Sequence, residues 1–399
     1  MRFMNIDGLI LTSLFVDIPN KLSGVKESIF SVMSRMAKAH DALNLSQGFP
    51  EFDPPKQLLE EVNWAMNNGY NQYAPMPGYI ELREQIAQKE LELHGHDVHS
   101  SDEITVTPGA TVALFACIHA IVEPGDEVIL LDPAYDSYQA AVEWAGGKCV
   151  RIPMNLKDLS FPTEQINDKL NPRTKLIIIT TPHNPLGAVM TDEDWKALTQ
   201  ITEPIGTFIL SDEVYEHMVF DQKKHKSVLQ VEGLKERSMK VSSFGKTFHS
   251  TGWKMGYVIS NNKITESIRS LYQFVNFSTH SATQMGLTRF MSTNPNWERE
   301  LSTFYEKKRH LFQESLVGSK WKIYPCSGSY FQILGFDAFS QEADDEFASI
   351  LTQQHGIASI PINVFNENAS RTGLLRFCFA KSDETLIAAV NKLKQIPTL

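Results

Sequence analysis

The stretch MKVSSFGKTFHSTGWKMGYVI, residues 239–259, decides the fold. It opens with a short apolar strand, Met239 to Phe244. It breaks into Gly, Lys and Thr, then returns to a second apolar run, Met255 to Ile259. A lysine at a strand end, in a turn of small residues, can hold an amine against a ligand. Gly245-Lys246-Thr247 matches the last three residues of a phosphate-binding P-loop. That motif also needs a glycine five residues before Gly245, and position 240 is Lys. Without it the loop lacks the amides that wrap phosphates, so this reading fails. A solvated surface lysine fits poorly between two apolar strands. What remains is a lysine that does chemistry, with Ser243 and Lys254 flanking it.

Outward from this stretch, short β-rich runs alternate with helical ones. The runs are ITV from Ile104, EVILL from Glu127, CVRI from Cys149, LIIITT from Leu176, TFILS from Thr207, MKVSSF and MGYVIS. Helices are expected at Ala110 to Val122, near Tyr138 to Trp144, and from Asp192. Continuous apolar strands imply a sheet buried on both faces. Alternation with helices implies parallel crossovers. The fold class is therefore α/β, with a mostly parallel seven-stranded sheet between helices in a large domain, residues 56–295. Asn296 to Val317 has few breakers and is expected to be a long helix linking two domains. After it come strands between Ile323 and Phe336, a helix at Asp344 to His355, the strand Leu374 to Phe379 and a helix at Asp383 to Leu393. These make a smaller α+β domain, residues 296–399. Residues 1–55 form an N-terminal arm and part of that small domain, including an amphipathic helix from Ile29 to His40 with Ile29, Val32, Met33 and Met36 on one face.

Composition bounds the function. With 399 residues the chain has room for two or three domain-sized units. A formal net charge of -10 argues against broad binding to nucleic acid or anionic membranes. Cys117, Cys149, Cys326 and Cys378 are scattered with no C-x-x-C pair, as expected of buried, reduced thiols in a cytoplasmic protein. No apolar run approaches the roughly 20 residues that span a bilayer. The apolar patch Leu9 to Val16 makes a poor signal peptide, because Asp7 interrupts and no small-x-small site follows. It reads as an extended arm, or as an upstream start with Met4 as the true one.

Ligands in α/β sheets sit at the carboxyl ends of strands, and the chemistry-bearing residues fall there. In ITVTPGATVALF a strand, a Gly turn and a helix place Gly109, Ala110 and Thr111 at a helix N-terminus, where free amides and the dipole attract an anion. The same segment also suits a plain turn. Asp212 ends the strand Thr207 to Ser211, as a partner for a ligand nitrogen or as a helix cap; Tyr215 follows it. Asn184 lies between Pro182 and Pro185 in PHNPLG, as a rigid donor or as part of a tight turn. Tyr135 ends another strand in DPAY. Arg376 sits inside the apolar strand LLRFCF, where a charge needs a partner; a bidentate carboxylate ligand and a structural ion pair are both open. Lys223-Lys224-His225-Lys226 reads as a solvated loop, and His183 as a turn residue. The histidines show no metal-ligand spacing, so no metal is expected.

Taken together, SQGFP, NQYAP-x-x-G, the GAT turn, DPAYDSY, PHNPLG, SDEVYE, SSFGKT-x-x-x-TGWK-x-GY and LLRFCFAK resemble a class I aminotransferase of the pyridoxal 5'-phosphate (PLP) fold type I. The resemblance runs from about Ser28 to the C-terminus and is strongest to the methionine and kynurenine aminotransferase branch. It implies that Lys246 carries the cofactor, that Asp212 pairs with the ring nitrogen, and that Asn184 and Tyr215 bond the phenolic oxygen. Tyr135 would stack on the ring. Gly109, Ala110, Thr111, Ser243 and Lys254 would hold the phosphate, joined by Tyr73 from the other subunit of a homodimer. Arg376 and Asn184 would take the substrate carboxylate, with the backbone at Gly48 closing over it. Phe30 matches an aromatic of the side-chain pocket, where the family often has Trp.

The activity this implies is ping-pong transfer of the amino group of an apolar, thioether or aromatic amino acid, methionine favoured, to a 2-oxo acid. The lysine amine must be neutral to act, so it is expected well below its usual value of roughly 10.4. Two rivals share the site. A β-eliminating lyase would release pyruvate and ammonia from a cysteine conjugate. A PLP-sensing regulator would carry an added DNA-binding unit, against which the negative charge speaks.

Overall fold

A computed structural model of the chain describes residues 27–398. The arm read over residues 1–20 lies outside the described residues. The main sheet has seven strands, in the order Ile104–Thr107, Gly256–Ser260, Ser238–Ser243, Phe208–Asp212, Thr174–Thr180, Glu127–Asp132 and Lys148–Pro153. The last five run parallel. Gly256–Ser260 runs antiparallel to both of its neighbours. The link, residues 244–255, holds one helical turn, Phe244–Thr247, and a 3-10 turn, Thr251–Trp253, in place of a crossover helix, so the chain returns beside its own strand.

Apart from the edge strand Lys148–Pro153, the strands are buried on both faces, and neighbouring residues sort to opposite sides. Ile129, Leu131, Ile177, Ile179 and Ile209 join one core, while Val128, Leu130, Leu176, Ile178 and Leu210 join the other. This is the period-2 alternation of a pleated strand, with both faces apolar.

A second sheet is antiparallel, ordered Ile360–Pro361, Leu374–Cys378, Phe331–Gly335 and Lys322–Ile323. Its core contains Met33 and Leu45 from the N-terminal side together with Leu351, Phe377 and Leu386. The helix Ile29–Ala39 buries Met33 and Ala37, and the short strand Leu43–Asn44 pairs in parallel with Ile357–Ala358. The early chain thus completes the later one. The expected long helix is Trp297–Leu316, and Trp297 packs against the cores of both sheets. Among the described residues no helix is long and apolar enough to cross a membrane.

Candidate active site

A cavity of about 340 Å³ opens where the carboxyl ends of the parallel strands meet the second sheet. Its wall includes Phe30, Gly48, Gly109, Ala110, Thr111, Tyr135, Asn184, Asp212, Tyr215, Ser243, Lys246, Lys254 and Arg376. Sequence reasoning placed every one of these at a ligand. Tyr73 is the exception. It is 83% exposed, sets its ring edge-on to that of Phe277 at 5.6 Å, and is not among the residues lining the cavity.

One end of the cavity is cationic. Gly109 has a left-handed φ of 86° and caps the helix Ala110–Ile121. A side chain there would be strained, and its Cβ would meet Lys254 Nζ at 3.4 Å. The glycine therefore lets an ammonium approach a helix N-terminus closely, and the two together attract an anion.

Asp212 ends its strand without capping any helix. Its Oδ2 accepts the Tyr138 hydroxyl at 2.6 Å, and its Oδ1 accepts the Val214 amide at 3.3 Å. Tyr138 also meets Thr180 Oγ1 at 2.8 Å. Burial pushes the Asp212 carboxyl up to about 6, against the Tyr138 hydrogen bond. Such a group sits ready to share a proton with a basic nitrogen. Tyr138 lay inside a quoted motif, yet nothing in one dimension marks which strand end it reaches.

Arg376 is fully buried. Its Nη1 donates to Asn184 Oδ1 at 2.8 Å and its Nη2 to Ser46 O at 2.7 Å. Among the described residues its Nε has no hydrogen-bond partner, and the bonds it makes go to an amide and a backbone carbonyl, not to a carboxylate. The structural ion pair weighed for it is absent there, so the guanidinium stays available for a carboxylate. The rings of Phe331, at 4.0 Å, and Phe30, at 5.1 Å, lie against it.

Lys246 Nζ donates to Gly48 O and to the Tyr330 hydroxyl, each at 2.7 Å. Burial pushes the amine down to about 8, with Arg376 and Lys254 adding to the shift. Tyr330 was not singled out from sequence; it follows the Gly-Ser break of the second sheet, far along the chain. The Gly48 carbonyl faces Lys246, a contact the motif alone did not indicate.

The Lys223–Lys226 segment is not wholly a solvated loop. His225 Nε2 meets Glu213 Oε2 at 2.7 Å with a buried ring, and Lys226 pairs with Asp192. His183 is buried, and its Nδ1 accepts the Leu186 amide at 3.3 Å, as suits a turn. Glu90, His94 and Glu216 gather within 4.8 Å. Those carboxylates already meet Lys89 and Lys240.

The family described as "Aminotransferase class I and II" matches residues 40–393. The chain belongs to this aminotransferase family. The family is PLP-dependent and moves amino groups between amino acids and 2-oxo acids. The aminotransferase is 43% identical to methionine aminotransferase of Escherichia coli, over 94% of this chain and 98% of that one. It is 31% identical to the kynurenine–oxoglutarate transaminase of Dictyostelium discoideum, covering 92% of this chain and 94% of that one. Its fold superposes on the crystal structure of YbdL from Escherichia coli, whose reactivity identified a methionine aminotransferase function. The TM-score is 0.93 at 43% identity, covering 95% of this chain and 99% of that one. It also matches the N-succinyldiaminopimelate aminotransferase of Mycobacterium tuberculosis, with TM-score 0.92 at 31% identity, covering 95% of this chain and all (100%) of that one.

Proposed function

We propose that the enzyme moves the amino group of an apolar, thioether or aromatic amino acid, methionine first, to a 2-oxo acid in two half-reactions, with PLP bound at Lys246. The observation that carries this is the pairing, in one cavity, of a lysine amine held near 8 with a buried guanidinium that has no acidic partner among the described residues. The residues fit the cofactor. Asp212 suits a pyridine nitrogen. Asn184 and Tyr215 suit its phenolic oxygen, and the Tyr135 ring suits its face. Gly109, Ala110, Thr111, Ser243 and Lys254 suit its phosphate.

When bound, that cofactor supplies the electron sink and the temporary seat for the amino group. The chain supplies the rest. Arg376 grips the substrate carboxylate in a fork, with Asn184 holding the guanidinium in place. Asp212 holds a proton at the ring nitrogen. Lys246, its amine lowered by burial to about 8, in its neutral form takes the proton from the substrate Cα and, as the acid, would deliver it to the carbon that the cofactor supplies. Phe30, Tyr135 and Phe331 offer apolar surface to a thioether or aromatic side chain; the sequence likeness to the Escherichia coli methionine aminotransferase supports methionine as the leading donor.

We read residues 56–295 as the cofactor-binding domain and 296–398 with 27–55 as the second. Exposed Tyr73 supports a homodimer in which it serves the partner's site. Four free cysteines suit the cytoplasm. The test is product analysis. The purified enzyme, given L-methionine and a 2-oxo acid, forms the 2-oxo acid of methionine, and Lys246→Ala does not. Pyruvate and ammonia from a cysteine conjugate, with no product from methionine, would overturn the reading.

A further inference from the structure

We propose that Tyr330 is a positioning residue for the reaction: with the carbonyl of Gly48 it cradles the free amine of Lys246 and aims the lone pair of that amine into the cavity. This rests on the reading of Lys246 as the reacting amine.

Three polar atoms close a triangle. Lys246 Nζ lies 2.7 Å from Gly48 O and 2.7 Å from the Tyr330 oxygen. The Tyr330 hydroxyl lies 2.6 Å from Gly48 O. The donors follow from chemistry. A carbonyl only accepts, and a tyrosine has one hydrogen to give. That hydrogen goes to Gly48 O, so the Tyr330 oxygen accepts from the lysine. A neutral amine has two N–H groups and one lone pair. With both N–H groups committed to the cradle, the lone pair points away from both partners, toward the open side.

The proton step balances with these groups alone. The lone pair takes the substrate Cα proton. The C–H bond breaks and leaves its electron pair with the substrate. A third N–H bond forms where the lone pair was, and the two cradle bonds persist. They are stronger to an ammonium than to an amine, so the cradle also supports the charged state. The rings of Tyr215 and Tyr330, at 5.5 and 5.3 Å from Nζ, favour that state further. When the ammonium then gives a proton up to another carbon, that N–H bond breaks, the lone pair is restored and the two cradle bonds again hold a neutral amine.

The hydroxyl is held firmly. Tyr330 is fully buried, and its ring is boxed by Phe331 at 4.9 Å, Tyr215 at 5.0 Å and Tyr305 at 5.6 Å. Position matters here because it links separate parts of the chain. Lys246 follows a strand of the large sheet, Tyr330 precedes a strand of the second sheet, and Gly48 comes from the segment before residue 56. The same cluster contains a control. Tyr305 is equally buried, but its hydroxyl has no hydrogen-bond partner among the described residues.

The experiment compares Tyr330→Phe, Tyr305→Phe and Lys246→Ala. With the cofactor-loaded enzymes, Tyr330→Phe is expected to lower kcat of the methionine half-reaction by about ten- to a hundredfold, part of the usual acid–base contribution, with KM unchanged. With the cofactor stripped, the pH dependence of Lys246 labelling by an amine-selective reagent is read by mass spectrometry. In Tyr330→Phe its midpoint falls by roughly one pH unit, because the ammonium loses an acceptor. Tyr305→Phe leaves both readouts at the parent values. The proposal is overturned if Tyr330→Phe keeps the parent kcat, or loses it with an unchanged labelling midpoint, or if Tyr305→Phe behaves alike. Full activity in Lys246→Ala would instead remove the reading of Lys246 and the cradle with it.

Discussion

Lys240 and Lys246 lie on one strand and the turn that follows it, yet their surroundings are opposite. Lys240 is completely buried, with Glu90 and Glu216 each at 2.7 Å and Glu213 at 3.7 Å. Burial works against its charge, but Glu216 and Glu90 more than offset that and raise the ammonium above its usual range. Among the described residues Lys246 hydrogen-bonds a carbonyl and a hydroxyl and makes no ion pair, and cations lie nearby. Its amine falls to about 8. Desolvation is common to both. The partners decide the outcome, one lysine locked as an ion and the other freed for proton transfer.

The contrast has a geometric root. Along Asp212-Glu213-Val214-Tyr215-Glu216, Asp212 and Tyr215 line the cavity, while Glu216 turns to Lys89, His94, Ser242 and Tyr257 and Glu213 to Ser211, His225 and Lys240. One short segment presents its acid to the cavity and its other two acids to the core. The cluster that charges Lys240 thus pins the backbone that carries the cavity's carboxylate.

The contrast can be broken by exchanging the two lysines' fates. Lys246→Ala is expected to lower kcat by more than about 10⁴-fold, with a melting temperature near the parent's; steady-state assay and calorimetry read both. Lys240→Met should do the reverse. It strands carboxylates in the core and costs about 3–5 kcal/mol of stability, read by urea unfolding. The Lys246 labelling midpoint should stay where it was. A large shift there would mean the two sites are coupled more tightly than their partners suggest.

Arg376→Lys sharpens the cavity side. A point charge replaces a fork, and kcat/KM should fall by about 10- to 100-fold for amino and 2-oxo acids alike. The smallest effect is in acid. Burial opposes the charge of Glu216, but Lys240 and Lys89 hold its pKa well below the usual 4.5. A depressed folded-state value gives stability that is present above about 4.5 and lost as pH falls below it. Urea midpoints should therefore drop on acidification below that point, and drop less in Lys240→Met.

Much of this was legible in one dimension. The seven strands follow from apolar runs, and Asp212, Tyr135, Asn184 and Lys246 follow from lying where those runs end. The direction of Gly256–Ser260 was less so, since alternation with helices suggests parallel strands and only the lack of a crossover helix in residues 244–255 reverses one. His225 looked solvated because its neighbours are lysines, but its ring meets Glu213 in the core. Tyr73 lies in a recognisable motif, yet it stands 83% exposed and outside the cavity lining.

Local pattern was enough for the strands, the turns and the reactive residue types, because period, glycine turns and strand ends are properties of neighbouring residues. It was not enough for the pairing of Arg376 with Asn184, the cage around Lys240, or the meeting of Lys246, Gly48 and Tyr330. Those contacts join segments far apart in the chain. They form when the two sheets pack and exclude water, and that exclusion is what makes one lysine a fixed cation and the other a base.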